Sequence, residues 1–505
     1  MEAVAEAAGS GLAPASALMS AIPIVLHGAE AQAARVRPKV LYVFDTLLLA
    51  GGIGCRFVAE PPADGPWILY GAADGVPEQA LRRCLAIGLD PAAWRFFAGS
   101  ADVVEAAEID GLPAVFAGPV PPAPAAAAIP FDIIANAFYF LSSWSERLDG
   151  AGGRRTYESS VFARLGLPQD IVDRYLGRLR GALDALCQRL GTPRPAPVPW
   201  PEEARFALVL SHDVDFLPDG IADIVKQGGK TVARHLLHHR DPVDAARAAV
   251  GLLKALATGR DPYGCVPEII AREKALGVRS SFQVAVGRRH PNDVNYRIED
   301  DRVRDYLRVI GDAGFDLCLH GSYRSTENPA WYGEEAALLA ARLRRPLGSR
   351  QHFLSFDYDA LFRAQERAGI RYDMSMGYPD RPGARAGFSF PYFPYCLTED
   401  RPFDVVQISL FLMDVTLRGY LGLKGAAARR VIDDTIRDLA EKGGCVSAVW
   451  HPIVFGNARD PGYARLYWEM VQTVRDRGGL ATDGRTIDAF WRHRARDYAS
   501  FARLS

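Results

Sequence analysis

Beyond residue 205 the chain settles into a repeat that leaves few folds open. Short runs rich in β-branched and aromatic residues recur at 206–210, 279–286, 315–319, 352–356, 372–376, 405–410 and 445–450. Amphipathic helical stretches stand between most of them. Val303, Leu307 and Ile310 mark one, Leu361, Ala364 and Ala368 another, and Val431, Ile432, Ile436 and Leu439 a third. Strands joined through helices pair in parallel, and runs apolar on both faces belong in a sheet covered on both sides. The expected fold class is α/β, a parallel (β/α) barrel, closed or nearly so, over residues 200–495. Gly277, Gly314, Gly369, Gly443 and Gly444 sit before several runs, where helices end.

The first 195 residues read as a separate small mixed α/β domain, and residues 200–505 as the barrel domain. Residues 39–45 (KVLYVFD) and 67–70 (WILY) have strand character, and short helical patterns follow at 78–87 and from Pro91 onward. Residues 119–130 (PVPPAPAAAAIP) form a biased loop. Asp132 is placed to cap a helix whose apolar face is Ile134, Ala137, Phe138 and Leu141, and a further helix covers 168–190. No catalytic constellation is legible in this half, which points to packing, specificity or assembly. The joint is TPRPAPVPWPEE at 192–203, where proline at every second position from Pro193 to Pro201 holds the chain extended.

Composition excludes several partner classes. With 505 residues, 49% hydrophobic and a formal net charge of -1, no broad basic field invites nucleic acid. The seven cysteines are scattered without a CxxC pair, which argues against a disulfide framework and a thiolate zinc site and suits a reducing compartment. Glu2 and Glu6 replace the positive region of a signal peptide, and the apolar runs are too short to span a bilayer. The expected location is the cytoplasm, with any membrane contact made through a partner.

Several runs end in a charged or imidazole residue, and parallel βα units collect their strand C-termini on one rim. Five segments stand out. SHDVD (211–215) puts two carboxylates two positions apart just past a strand, where one can hold a metal and the other take a proton; a helix cap or solvated loop is the alternative. LCLHGSYRS ends a strand at His320, with Gly321 allowing a close approach and Ser322, Tyr323, Arg324 and Ser325 forming a polar rim. RQHFLSF carries Arg350 and His352 at period two, either on the site rim or as a pair at the start of a strand on the far rim, the latter slightly favoured. RYDMSMGYPDRPGARAGFSFPYFPY supplies Asp373, Asp380, Arg381 and Arg385. Its Phe388, Phe390, Tyr392 and Phe393 either line a sugar-sized cleft or tuck into the core. SAVWHP ends the last run at His451.

In these segments, and in RDPYG (260–264), the chain resembles a divergent branch of the polysaccharide deacetylase family, the NodB-homology group. The resemblance spans residues 206–492, and the segment IPFDIIANAFYFLSSWSER is similar to the end of that branch's N-terminal domain. It implies a distorted βα barrel that removes acetyl groups from N-acetylated sugars with a divalent metal, zinc first among the candidates. By the same resemblance Asp213 is the base, Arg385 the arginine that orients it, and His451 the acid. The family's ligand position falls on Val214, so Asp215 takes that role through a shifted turn. His320 is the first ligand histidine, and Arg324 stands where the second would be. His352 and His290 are the candidates for the third ligand. Tyr323, Arg324, Asp380 and Arg381 are assigned to the substrate, an acetamido sugar in polysaccharide or glycolipid metabolism. Two alternatives stay open: a non-catalytic carbohydrate-binding or assembly module, and another C–N bond hydrolase on the same scaffold.

Overall fold

The segment KVLYVFD, expected as a strand, lies inside a fifteen-residue helix of the first folded unit. In the computed structural model, which describes residues 21–118, 125–148, 153–195, 198–238, 240–259, 261, 263, 265–342, 346–456, 460 and 462–498, the segment Arg37–Gly51 is α-helical. Pro38 sits in its first turn, Gly52 ends it at φ 70°, and nearly every side chain between is buried. A continuous apolar run has no period to separate buried helix from buried strand, which is why KVLYVFD misleads. Residues 78–87 also divide, into a short helix Glu78–Leu81 and a strand Cys84–Ile87. The expectations for Glu2, Glu6, residues 119–124 and the alternate residues 260, 262 and 264 of RDPYG lie outside the described residues.

The chain divides into two compact units. One comprises residues up to Tyr139, Arg174–Arg205 and residues from Arg492; the other comprises Phe140–Asp173 and Phe206–Trp491. In the first unit five strands, β1 (Ile22–His27), β2 (Cys55–Val58), β3 (Trp67–Gly71), β4 (Cys84–Ile87) and β5 (Ala127–Ile129), pair in parallel in the order β2-β1-β3-β4-β5. Asp132 accepts from the backbone N–H of Ala135 at 2.9 Å and caps the helix as expected. Its carboxylate also accepts from the Tyr70 hydroxyl, the Trp94 indole and the Asp90 backbone N–H, which ties helix to sheet.

The second unit is the barrel. Its strands are β6 (Ala207–Val214), β7 (Ser281–Ala285), β8 (Asp316–Gly321), β9 (Gly348–Gln351), β10 (Tyr372–Asp373), β11 (Val406–Gln407), β12 (Leu410–Met413), β13 (Cys445–Val449) and β14 (Leu480–Thr482). They pair in parallel in the order β11-β10-β9-β8-β7-β6-β13-β12, with β14 on the first half of β6. The two ends of that order are consecutive in the chain. Ile408 N–H donates to Asp373 on one side, and Ser409 accepts from Ser447 N–H on the other, so residues 406–413 close the ring. The result is a distorted parallel (β/α) barrel.

Six of the seven sequence runs coincide with barrel strands. The exception is 352–356, because the strand is Gly348–Gln351 and His352–Leu354 is a tight turn. Phe353 at φ 58° and Leu354 at φ 54° hold that turn in the left-handed region, which bulky side chains avoid. His352 therefore stands past the C-terminal end of a strand rather than at its start. The outer layer is built by helices such as Gly425–Lys442 and Tyr463–Asp476, whose Ile432, Ile436, Met470 and Val471 pack with Leu208, Leu210 and Val446 of the sheet. All seven cysteines are buried free thiols. Among the described residues, no helix is long and apolar enough to cross a membrane.

Candidate active site

Period-two alternation along β6 sends its polar residues to opposite sides. His212 is fully buried against the outer layer, its Nε2 3.1 Å from Glu273 and its Nδ1 2.7 Å from the carbonyl of Trp450. Ser211, Asp213 and the following Asp215 fall on the other side. Arg350 of β9 reaches them there. Its Nη1 donates to Asp213 Oδ1 at 2.5 Å, its Nη2 to Ser211 Oγ at 2.8 Å, and its Nε to the carbonyl of Met374 at 3.0 Å. Arg350 is 1% exposed, so its charge is stabilised by these partners rather than by water.

Asp215 is the centre of an imidazole cluster. Its Oδ1 lies 3.2 Å from His320 Nε2 and 3.7 Å from His352 Nε2, and its Oδ2 lies 3.3 Å from His451 Nε2. The other nitrogen of His320, Nδ1, is 2.9 Å from the carbonyl of Arg350. A carbonyl only accepts, so Nδ1 carries a proton, and when the ring is neutral its Nε2 lone pair faces Asp215. Asp215 Oδ1 and His320 Nε2 are both buried without a hydrogen-bond partner. Two lone pairs facing each other at 3.2 Å repel unless a proton or a cation lies between them.

Among the described residues, Asp215, His320 and His352 are the one group of three whose ligand atoms gather closely enough to hold a metal, within 4.8 Å of one another. Ligand atoms about 2.1 Å from a tetrahedral ion stand about 3.4 Å apart, so the two carboxylate–imidazole distances fit. One carboxylate and two imidazoles suit zinc and other first-row ions. Burial disfavours the ionised form of Asp215, but His352, His320 and His451 outweigh it and hold the carboxyl well below the usual range. The carboxylate so kept ionised is the anionic member of the ligand set.

His451 follows β13. Its Nδ1 is 2.6 Å from Asp414 Oδ1, at the end of β12, and Asp414 is fully buried with Arg418 Nε 3.5 Å from its other oxygen. Burial opposes protonation of His451, yet Asp414 and Asp215 overcome it and push the imidazole up to about 10. Residues 416–420 continue as a π-helix, a rare form that recurs at functional sites.

The other expected residues are deployed differently. Arg385 does not reach Asp213: its Nε and Nη2 each donate to Glu146 at 2.9 Å, and Arg350 holds Asp213 instead. Asp380 accepts from Tyr157 N–H at 2.8 Å, and Arg381 lies 4.2 Å over the Tyr157 ring, so both brace the turn at 157–159. Arg324 turns to the exposed Glu327. Tyr323 stacks on His290 at 4.6 Å and meets Phe353 edge-on at 5.6 Å, which leaves it beside the His352 turn and leaves His290 outside the triad. Phe388, Phe390, Tyr392 and Phe393 are all buried, so they build core rather than a cleft. Asp414 and Arg418 escaped the sequence reading; an aspartate directly after the apolar run at 410–413 was the available signal.

No family model matches the sequence, and no curated protein does. Among solved structures the chain is similar to a Mycobacterium smegmatis protein assigned as a polysaccharide deacetylase, with 16% identity, TM-score 0.39, and coverage of 59% of this chain and 94% of that one. It is also similar to a Puue allantoinase, with 16% identity, TM-score 0.38, and coverage of 58% and 92%. The chemistry of the site rests on its own geometry: a carboxylate clamped by arginine, a three-residue metal-ligand set, and an aspartate-bound histidine, all gathered at one rim of a parallel barrel.

Proposed function

We propose that the barrel unit is a metal-dependent hydrolase that removes the acetyl group from an N-acetylated sugar in polysaccharide or glycolipid metabolism. The observation that carries this reading is the contrast between two adjacent carboxylates. Asp213 is gripped by Arg350 and Asp215 is ringed by imidazoles, which suits one to proton transfer and the other to a metal. Asp215, His320 and His352 would hold the ion. Bound there, a divalent ion supplies Lewis acidity toward a carbonyl oxygen and a nearby water. Asp213 takes a proton from water as the water oxygen bonds to the acetyl carbon. Arg350 keeps that carboxylate in place through the step. His451, oriented by Asp414, gives its Nε2 proton to the amide nitrogen as the C–N bond breaks, releasing acetate and a free amine. A module that only binds sugar has no use for a buried Asp414–His451 pair aimed at Asp215, and this weighs against the non-catalytic reading.

The test uses the full chain. Metal content is measured as isolated and after zinc supplementation, in the parent and in Asp215→Ala, His320→Ala and His352→Ala. Acetate release is followed from acetamido-sugar oligomers and lipid-linked acetamido sugars. We expect one equivalent of metal in the parent and a loss in each variant. Acetate should be released by the parent and reduced at least a hundredfold in Asp213→Asn. A parent that takes up no metal under any supplementation would sink the mechanism and leave a binding module. Metal uptake with cleavage of other amides but not of acetamido sugars would move the chain to a different C–N hydrolase.

A further inference from the structure

The segment after Asp215 does something unusual with its apolar residues. It rises into a hairpin of two helices, Gly220–Leu237 and Pro242–Thr258, packed on each other. The buried positions carry mostly small side chains, with His235 and Asp244 the exceptions. Gly228, Thr231, Ala245, Ala248 and Ala255 are buried, and a Cβ at Gly228 would lie 2.6 Å from Leu252. Most of the large aliphatics point outward, while Leu252, over Gly228, and Ile224 are half-buried. Among the described residues, eight of the thirteen exposed large hydrophobics of the chain fall between Ile221 and Leu256. Leu237 is 81% exposed, Leu253 65% and Val250 63%. A helix pair in water places its aliphatics inside and its small polar residues outside, so this arrangement is inverted.

The outward residues form stripes. Ile221, Val225 and Leu236 recur at helical spacing on the first helix, and Val243, Val250 and Leu253 on the second. Exposed Lys226 and Lys230 border the first stripe, and exposed Lys254 borders the second. From 220 to 258 there are six Lys or Arg and three Asp, a balance of +3 in a chain whose total is -1. Two of the three aspartates, Asp241 and Asp244, are bound by Lys424 at 2.7 and 2.8 Å, which fastens the inter-helix turn to the barrel; Arg234 and Arg247 are paired with Asp460 and Asp244, so the outer charge rests on the exposed lysines.

We propose that this hairpin lies on an anionic lipid surface, with its aliphatic stripes in the acyl boundary and its lysines among the headgroups. An exposed apolar stripe bordered by lysine is what an interfacial helix requires. Among the described residues, no helix is long and apolar enough to cross a membrane. A second copy of the chain fits less well, because a symmetric pairing would bring together two faces that both carry Lys226, Lys230 and Lys254. The proposal stands whatever reaction the barrel performs.

Sedimentation of the full-length protein with vesicles tests it. Phosphatidylcholine vesicles are compared with vesicles containing phosphatidylglycerol, at low and high salt, with parent, Val250→Glu/Leu253→Glu, and Lys226→Gln/Lys230→Gln/Lys254→Gln. Light scattering without lipid is run in parallel. We expect preferential binding to the anionic vesicles, weakened by salt, and at least tenfold weaker in the glutamate variant. Removal of three lysine charges should cost roughly a hundredfold. Thermal melts should be unchanged, since every substituted side chain is exposed. A parent that binds neither vesicle, or binds both equally with no effect of the substitutions, overturns the proposal. So does a parent dimer, absent in the glutamate variant, that ignores vesicles.

Discussion

A buried arginine survives only where its charge is met, and Arg350 is met by Asp213, Ser211 and a backbone carbonyl. Lysine would keep the charge but lose the planar fork that serves all three. Arg350→Lys is expected to lower hydrolysis about a hundredfold in kcat/KM while the protein keeps its metal, checked by kinetics alongside metal analysis. Asp132 offers a second residue-level test, in the other unit. Burial raises its carboxyl, against the donors from Ala135, Asp90 and Tyr70, to about 7. The unfolded value is about 4, so the folded chain holds the proton more tightly. That contribution is complete below pH 4 and is lost as pH rises through 7, on the order of 4 kcal/mol in all. Urea unfolding at pH 5 and pH 8 should show this slope in the parent and its absence in Asp132→Asn. The variant should also be less stable at pH 5 by about 1–3 kcal/mol, because its amide would face N–H donors.

At the scale of elements, closeness of approach decides how His320 is presented. A Cβ on Gly321, at the end of β8, would lie 2.4 Å from Gln351 Oε1 and 3.1 Å from the Tyr332 ring. Gln351 is buried, and its amide donates to the carbonyl of Ser322 and to Ser325 Oγ, so it has little room to yield. Gly321→Ala should cost about 1–3 kcal/mol by overpacking and should weaken metal binding through its neighbour His320, measured by denaturation and metal titration. Element type and rim were legible in the sequence because SHDVD, LHG and VWHP follow apolar runs of strand length. The Arg350–His352 pair was not, because its strand is the polar GSRQ, which carries no apolar alternation. Helix Arg37–Gly51 was lost for the opposite reason, an apolar surface all round. Arg385 was assigned from its motif, and nothing local in the sequence ties it to Glu146, 239 residues away.

For the whole molecule, the barrel does not begin at the proline joint. Residues Phe140–Asp173 belong to its unit. Glu146 neutralises the buried Arg385, Asp173 accepts from Ser389 N–H and Oγ, and Val172 N–H donates to the carbonyl of Gly387. A fragment of residues 200–505 leaves Arg385 uncompensated, a loss of about 3–5 kcal/mol before the other contacts are counted. Such a fragment should be insoluble or melt well below the full chain, and adding residues 140–173 in trans should recover part of the loss. The ring itself has a stiff arc and a soft one. From β9 through β8, β7 and β6 to β13 the ladder keeps its register, β12 joins β13 with a bulge between Leu410 and Leu412, and each metal ligand, the arginine clamp and the Asp414–His451 pair stand on or just after these strands. β10 and β11 have two residues each, and the closing segment changes partner at 408–409. The site meets that arc through Arg350 Nε, which donates to the carbonyl of Met374 directly after β10, so the Asp213 clamp, and not the ligand set around Asp215, is the part tied to the short strands.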